Sequence, residues 1–200
     1  MAKDIPALKS FPRKVEVNLP EWALKALGSV GKYQTDADKM SLVLEFAKRN
    51  ISEKTGGPFA AAIFDMETGI LLGAGVNRVT ELNNSTLHGE MLAIMTAQSR
   101  LETFSLSRDG MKTELFTSCE PCAMCLGAVL WSGVKRLVGS AASQDASAIG
   151  FDEGPVFPES YTYLQNAGIE IKRNFMREDG QRILQSYIES GGLIYNGHAE

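Results

Sequence analysis

The three cysteines of this 200-residue chain, Cys119, Cys122 and Cys125, all fall within "TSCEPCAMC". Thiols can act as nucleophiles, redox pairs or soft metal ligands. Cys122 and Cys125 are spaced i, i+3. If Pro121 opens a helix, both thiols sit in its first turn and on one face. The positive end of the helix dipole lowers thiol pKa there, and two thiolates so placed can grip one zinc ion. Two plainer readings stand beside this one: buried free cysteine needs no function, and a lone C-x-x-C can be a redox pair. No second C-x-x-C is available for a four-cysteine structural site. Zinc would need a histidine from elsewhere and would keep one coordination position open, which favours catalysis over scaffolding. Cys119 precedes Pro121 and is expected to end a strand; it reads as a small polarizable residue near the site rather than a third ligand.

The chain has two histidines, each in an H-x-E triplet: His88-Gly89-Glu90 and His198-Ala199-Glu200. Such a triplet alone is weak evidence, because a structural histidine with a chance acidic neighbour is the usual case. Position separates the two. His88 follows loop-like "NNST" and precedes an apolar helix, as Cys122 does. Side chains at i and i+2 of a regular helix diverge, so convergence of His88 and Glu90 requires His88 at the first, irregular position. His198 follows two glycines near the last residue, where chains fray, and is read as a non-ligand.

The elements that must position these residues follow from periodicity. A short helix begins near "NLPEW", with Asn18 and Pro20 as start signals, and ends at Gly28. Thr35 and Asp38 stand at capping-box spacing before Met40, Val43, Leu44, Ala47 and Ile51, which predicts a helix over 36–53. "FAAAIFD" and "ILLGAGV" flank "METG" as a hairpin. "GEMLAIMTAQSRL" reads as a helix, "TELFTS" as a strand, and "CAMCLGAVLWS" as an apolar helix buried on most sides. "VKRLVGSA" and "GIEIKR" read as strands. "REDGQRILQSYIES" reads as a closing helix ended by Gly191 and Gly192. Strands alternating with helices imply an α/β layered domain, here residues 34–200 behind an N-terminal extension of residues 1–33.

Net charge is −4 and no Lys/Arg block is visible, which weighs against a polynucleotide substrate. Hydrophobic residues make up 44%, but no apolar run is long enough to span a bilayer. The first residues carry no apolar signal core, so the expected location is the cytoplasm.

H-x-E at one helix start and P-C-x-x-C at a second is the pattern of zinc deaminases. Over about residues 36–155 the chain resembles the cytidine deaminase-like superfamily. That resemblance implies a three-layer α/β/α fold with a mixed five-stranded sheet. It implies a Zn2+ cofactor held by His88, Cys122 and Cys125, a zinc-bound hydroxide as nucleophile, and Glu90 as a proton shuttle that does not bind the metal. Gly89 stands where the family more often has alanine.

"GGPF", "GVNRVT", "TSCEPCAMCLGA" followed by Trp131, and "GFDE" are similar to guanine deaminases in particular. This implies that Asn77 hydrogen-bonds the purine and that Glu153 helps recognise the base and handle protons. Glu153 stands where aspartate is common in relatives. Phe59 and Trp131 are candidates to line the pocket. Read as residues alone, Asn77 could satisfy a loop backbone, Glu153 could be a solvated charge, and the two aromatics could be core. The implied reaction is guanine to xanthine and ammonia. Close alternatives are deamination of amino-s-triazines such as ammeline, or of adenosine in tRNA, which shares "EPCAMC". The implied partners are a small nucleobase and a second copy of the chain, with no membrane and no nucleic acid. Tyr195 and His198 are candidates for a tail that covers the site.

Overall fold

The computed structural model describes residues 10–28 and 31–197. Alternate residues of β1 (Ala60–Asp65) are buried in opposite layers. Ala60, Ala62 and Phe64 join one core cluster, and Ala61 and Ile63 the other. A strand covered on both faces reads as a continuous apolar run, which is why "FAAAIF" shows no alternation.

β1 pairs antiparallel with β2 (Leu71–Val76) and with β3 (Thr113–Cys119); β3 pairs parallel with β4 (Arg136–Ala141), and β4 with β5 (Glu170–Lys172). The sheet order is β2-β1-β3-β4-β5. One face is covered by α1 (Glu21–Leu27), α2 (Asp36–Ser52) and α7 (Arg177–Glu189); the other by α3 (Gly89–Leu101), α4 (Ala123–Ser132) and α6 (Pro158–Asn166). This is the expected three-layer α/β/α architecture with a mixed five-stranded sheet.

The expected capping box forms at the start of α2. Thr35 Oγ1 accepts from Asp38 N at 3.1 Å, and Thr35 N donates to Asp38 Oδ2 at 3.2 Å. α1 ends at Gly28 as expected. The sequence boundary at residue 33 does not divide the packing, however. Ala23 is buried in the same cluster as α2. Trp22 sits edge-on to Phe46 at 5.4 Å and donates to Thr55 Oγ1 at 2.9 Å.

Two helices escape periodicity. α5 (Ser143–Ala148) and α6 lie between β4 and β5, where a parallel pair requires a crossover. α6 buries only Tyr161 and Leu164, too few apolar positions to register a helical period. α4 also departs from expectation. It is not buried on most sides: Trp131 is 83% exposed and Met124 36%.

Candidate active site

Phe59 precedes β1, Asn77 follows β2 and Cys119 ends β3, so all three stand at one end of the sheet. Above that end the first turns of α3 and α4 meet. His88 is the N-cap of α3, with extended backbone at φ −73° and ψ 159°. That is the irregular position convergence with Glu90 requires. Cys122 is likewise the N-cap of α4, at φ −66° and ψ 172°. The helix therefore opens at Ala123, two residues after Pro121, and the thiols occupy the cap and the third helical position.

Close backbone approach brings α3 onto the sheet. A Cβ on Gly75 would lie 2.2 Å from Gly89 O and 2.5 Å from Ala93 N. One on Gly73 would lie 2.4 Å from Ala97 N. The glycines of "LLGAGV" thus set the height of the helix that carries His88 and Glu90. Gly89 is also confined, though less tightly, since its Cβ would come within 2.9 Å of Ala60 Cα.

His88 Nδ1 lies 3.5 Å from Cys122 Sγ and 3.7 Å from Cys125 Sγ, and the three ligand atoms lie within 4.8 Å of one another. A tetrahedral zinc with ordinary bond lengths separates a thiolate sulfur from an imidazole nitrogen by about 3.5 Å, so the spacing fits. The proton chemistry fits too. The Cys122 thiol is drawn down to about 4, first by its hydrogen bond with Cys125 and then, against burial, by His88. Cys125 is pushed far up by that same bond, by burial and by Glu90. Protons alone leave this pair one thiolate; a bound cation stabilises both. Burial opposes charge on His88, but the Cys122 hydrogen bond and charge raise it overall. Cys119 stands apart, bonded through Sγ to Ala142 O at 3.7 Å and outside the triad.

Glu90 is 6% exposed. Thr117 Oγ1 donates to its Oε1 at 3.0 Å, and Cys125 Sγ lies 3.5 Å from Oε2. Burial, then the Cys122 charge, raises its pKa. Glu153 is pushed up to about 8 by burial, then by Cys122 and Glu90. Its backbone carbonyl accepts from Ala123 N at 3.0 Å, using an otherwise unpaired N–H at the start of α4. Glu153 is therefore not a solvated loop charge.

These groups face a cavity of about 270 Å³ lined also by Phe59, Asn77, Phe151, Tyr195 and Asn196. Asn77 is buried; its Oδ1 accepts from Val79 N at 3.2 Å, which orients the amide, while Nδ2 bonds no described residue. Tyr195 packs edge-on to Phe151 at 5.1 Å, and its buried hydroxyl has no partner among the described residues. Asn196 ties this tail to the loop before Glu153, donating to Gly150 O at 2.9 Å and accepting from Asp152 N at 3.0 Å. The tail thus covers the site of its own chain. His198 lies outside the described residues.

Trp131 does not line the cavity. It stands on the outer face of α4. α4 is apolar almost all round, so its sequence carries no periodic signal for which side faces the site. Thr117 and Glu120, which sequence reasoning gave no role, both belong here; the contiguous "TSCEPC" was the available signal.

Comparison with known proteins places this geometry. Residues 33–141 match the family described as the cytidine and deoxycytidylate deaminase zinc-binding region. A guanine deaminase structure from Nitrosomonas europaea is 39% identical, covering 90% of this chain and 98% of that one with a TM-score of 0.85. The structure of a protein designated NE0047 with 2,6-diaminopurine is 41% identical, covering 93% and 98%, with a TM-score of 0.86. A tRNA-specific adenosine deaminase from Buchnera aphidicola is 28% identical over 160 residues, 80% of this chain and 97% of that protein. The matched segment contains the thiols, the imidazole and the buried acid just described, and the chain belongs to the cytidine and deoxycytidylate deaminase zinc-binding family, as a zinc-dependent hydrolytic deaminase.

Proposed function

We propose that the substrate is a free purine base, guanine, converted to xanthine and ammonia. The observation that carries this reading is the small cavity closed by the chain's own tail. At about 270 Å³ it lies at the low end of ligand pockets. It joins the acid–metal cluster to Asn77, whose free amide donor suits a ring nitrogen or carbonyl, and to Glu153. The purine named with a relative at 41% identity supports the same substrate class.

Zinc held by His88, Cys122 and Cys125 supplies Lewis acidity that activates water. The overall change is ring C–NH2 plus H2O to ring C=O plus NH3. Glu90, whose pKa is raised by burial, takes one proton from the water and passes it to a ring nitrogen, then takes the second from the added hydroxyl as C=O forms and passes it to the departing amine. Thr117 fixes the Glu90 carboxyl. Asn77 and Glu153 orient the base, and Phe59, Phe151 and Tyr195 wall it from water.

A screen for ammonia release over guanine, adenine, cytosine, cytidine, deoxycytidylate, ammeline and a tRNA anticodon stem-loop tests this. Guanine is expected to be the preferred substrate, with activity lost on chelation and restored by zinc. Preference for ammeline would move the substrate to the s-triazines. Preference for the stem-loop would favour the tRNA reading that the Buchnera relative raises, against the net charge of −4. The exposed apolar face of α4, with Trp131 and Met124, supports a second copy as partner. Among the described residues no helix is long and apolar enough to cross a membrane.

A further inference from the structure

Glu120 and Pro121 are the only residues between Cys119 and Cys122, and Glu120 is a buried carboxylate, 2% exposed. Its backbone N donates to Ala141 O at 2.8 Å, carrying the β3–β4 ladder one step past the strand ends. Its side chain is held by two residues from further along the chain, and the first of them is held in turn by a third. Arg173, just after β5, donates from Nε to Oε1 at 2.6 Å and from Nη2 to Oε2 at 2.9 Å. Ser143, the first residue of α5, donates its N–H to Oε2 at 3.1 Å and its hydroxyl at 3.4 Å. Tyr161 of α6 carries the Arg173 guanidinium over its ring at 4.3 Å. Ser143, Tyr161 and Arg173 all lie beyond the residues that match the family.

We propose that Arg173 is a positioning residue for the zinc site, acting through Glu120. Pro121 has a ring-fixed φ, so the orientation of Glu120 is passed directly to Cys122. A bidentate guanidinium fixes direction as well as distance, and its stacking on Tyr161 holds the guanidinium plane. The elements that follow β4 thereby close on the turn that presents a metal ligand. Arg173 touches neither metal nor substrate; its part is to hold the Cys122 thiolate where His88 and Cys125 meet it. A carboxylate buried this deeply without its partner would draw the turn toward water.

This rests on the zinc reading, and the test separates the two. Zinc content of the wild-type protein comes first: no retained zinc ends that reading before any variant is compared. Zinc release to a chromogenic chelator is then timed for the folded full chain. Arg173→Gln and Glu120→Gln are each expected to release zinc about tenfold faster. The double variant should release no faster than the quicker single one, because both act through one contact. Arg177→Gln is the control. It removes an equally exposed guanidinium from Asp145 in the first turn of α5 (side chains 41% and 43% exposed) without touching Glu120, and should leave release unchanged. Arg173→Lys keeps the carboxylate paired but lacks the fork, and should fall between wild type and Arg173→Gln. It decides the matter if Arg173→Gln does not fold. Release within twofold of wild type in every soluble variant of the pair, or equal acceleration by Arg177→Gln, overturns the proposal.

Discussion

In the mechanism proposed above, burial is what makes a proton carrier of Glu90. It occupies the second helical position of α3, beside the metal ligands but aimed at Thr117, whose hydroxyl lies 3.0 Å away. Glu90→Gln keeps the shape and can keep the Thr117 contact, yet cannot carry a proton. It should retain about one zinc per chain while turnover falls at least about 100-fold; turnover near wild type with zinc bound would remove Glu90 from the mechanism. Asn77 permits a sharper separation of roles. Its Oδ1 serves the loop by accepting from Val79 N, whereas its Nδ2 has no partner among the described residues. Asn77→Asp preserves the acceptor and deletes the donor. The loop should hold and the melting temperature change little, while kcat/KM drops about tenfold or more. An unchanged kcat/KM would return Asn77 to a purely structural part.

At the scale of elements, the site is as good as the seating of α3 and α4. The Cβ of Gly75→Ala would meet backbone atoms of α3, at 2.2 Å from Gly89 O. Backbone cannot rotate aside, so the helix must lift, taking His88 and Glu90 with it. A loss of about 1–3 kcal/mol in urea unfolding is expected, together with weaker zinc retention. Gly127→Ala, within α4, meets nothing within 4 Å and should stabilise by roughly 0.5–1 kcal/mol. Equal effects at the two positions would show that helix seating is not what the β2 glycines provide. These glycines also mark what the sequence could and could not tell. "ILLGAGV" announces a strand, but only the helix above it explains its glycines. Likewise the ligand set was legible because helix starts are encoded locally, through loop residues before His88 and Pro121 before Cys122. Tyr195 and Phe151 reach the cavity, and Thr117 reaches Glu90, through tertiary packing, which leaves no periodic trace. Trp131 was misplaced because the apolar sequence of α4 does not say which of its sides faces the core.

The whole molecule separates its chemistry from its electrostatic anchor. The cavity lies at the end of the sheet where β3 and β4 finish, as ligand sites of α/β sheets do. At the opposite end, where β3, β4 and β5 begin, Arg136 joins Glu114, Glu170 and Asp36 of α2. Arg136 grips Asp36 with bonds of 2.8 and 2.7 Å, and Lys172 Nζ adds a third at 2.7 Å. These bonds hold the Asp36 carboxyl well below its usual value of 3.8, the Arg136 bonds foremost, against the opposing effect of burial. The sign follows. The folded pKa lies below the unfolded one, so unfolding takes up a proton at Asp36 as the solution is acidified. Its stabilisation is complete above the unfolded pKa and is lost as pH falls through the folded one. Asp36→Asn should therefore be less stable than wild type at neutral pH, with the gap closing as pH falls below about 4. Urea midpoints measured from about pH 6 to about pH 2 would show the two curves converge. A gap that stays constant across that range would mean Asp36 acts through helix-end packing rather than through its charge. Because the anchor is remote from the cavity, zinc content and KM at neutral pH should be the same in both proteins.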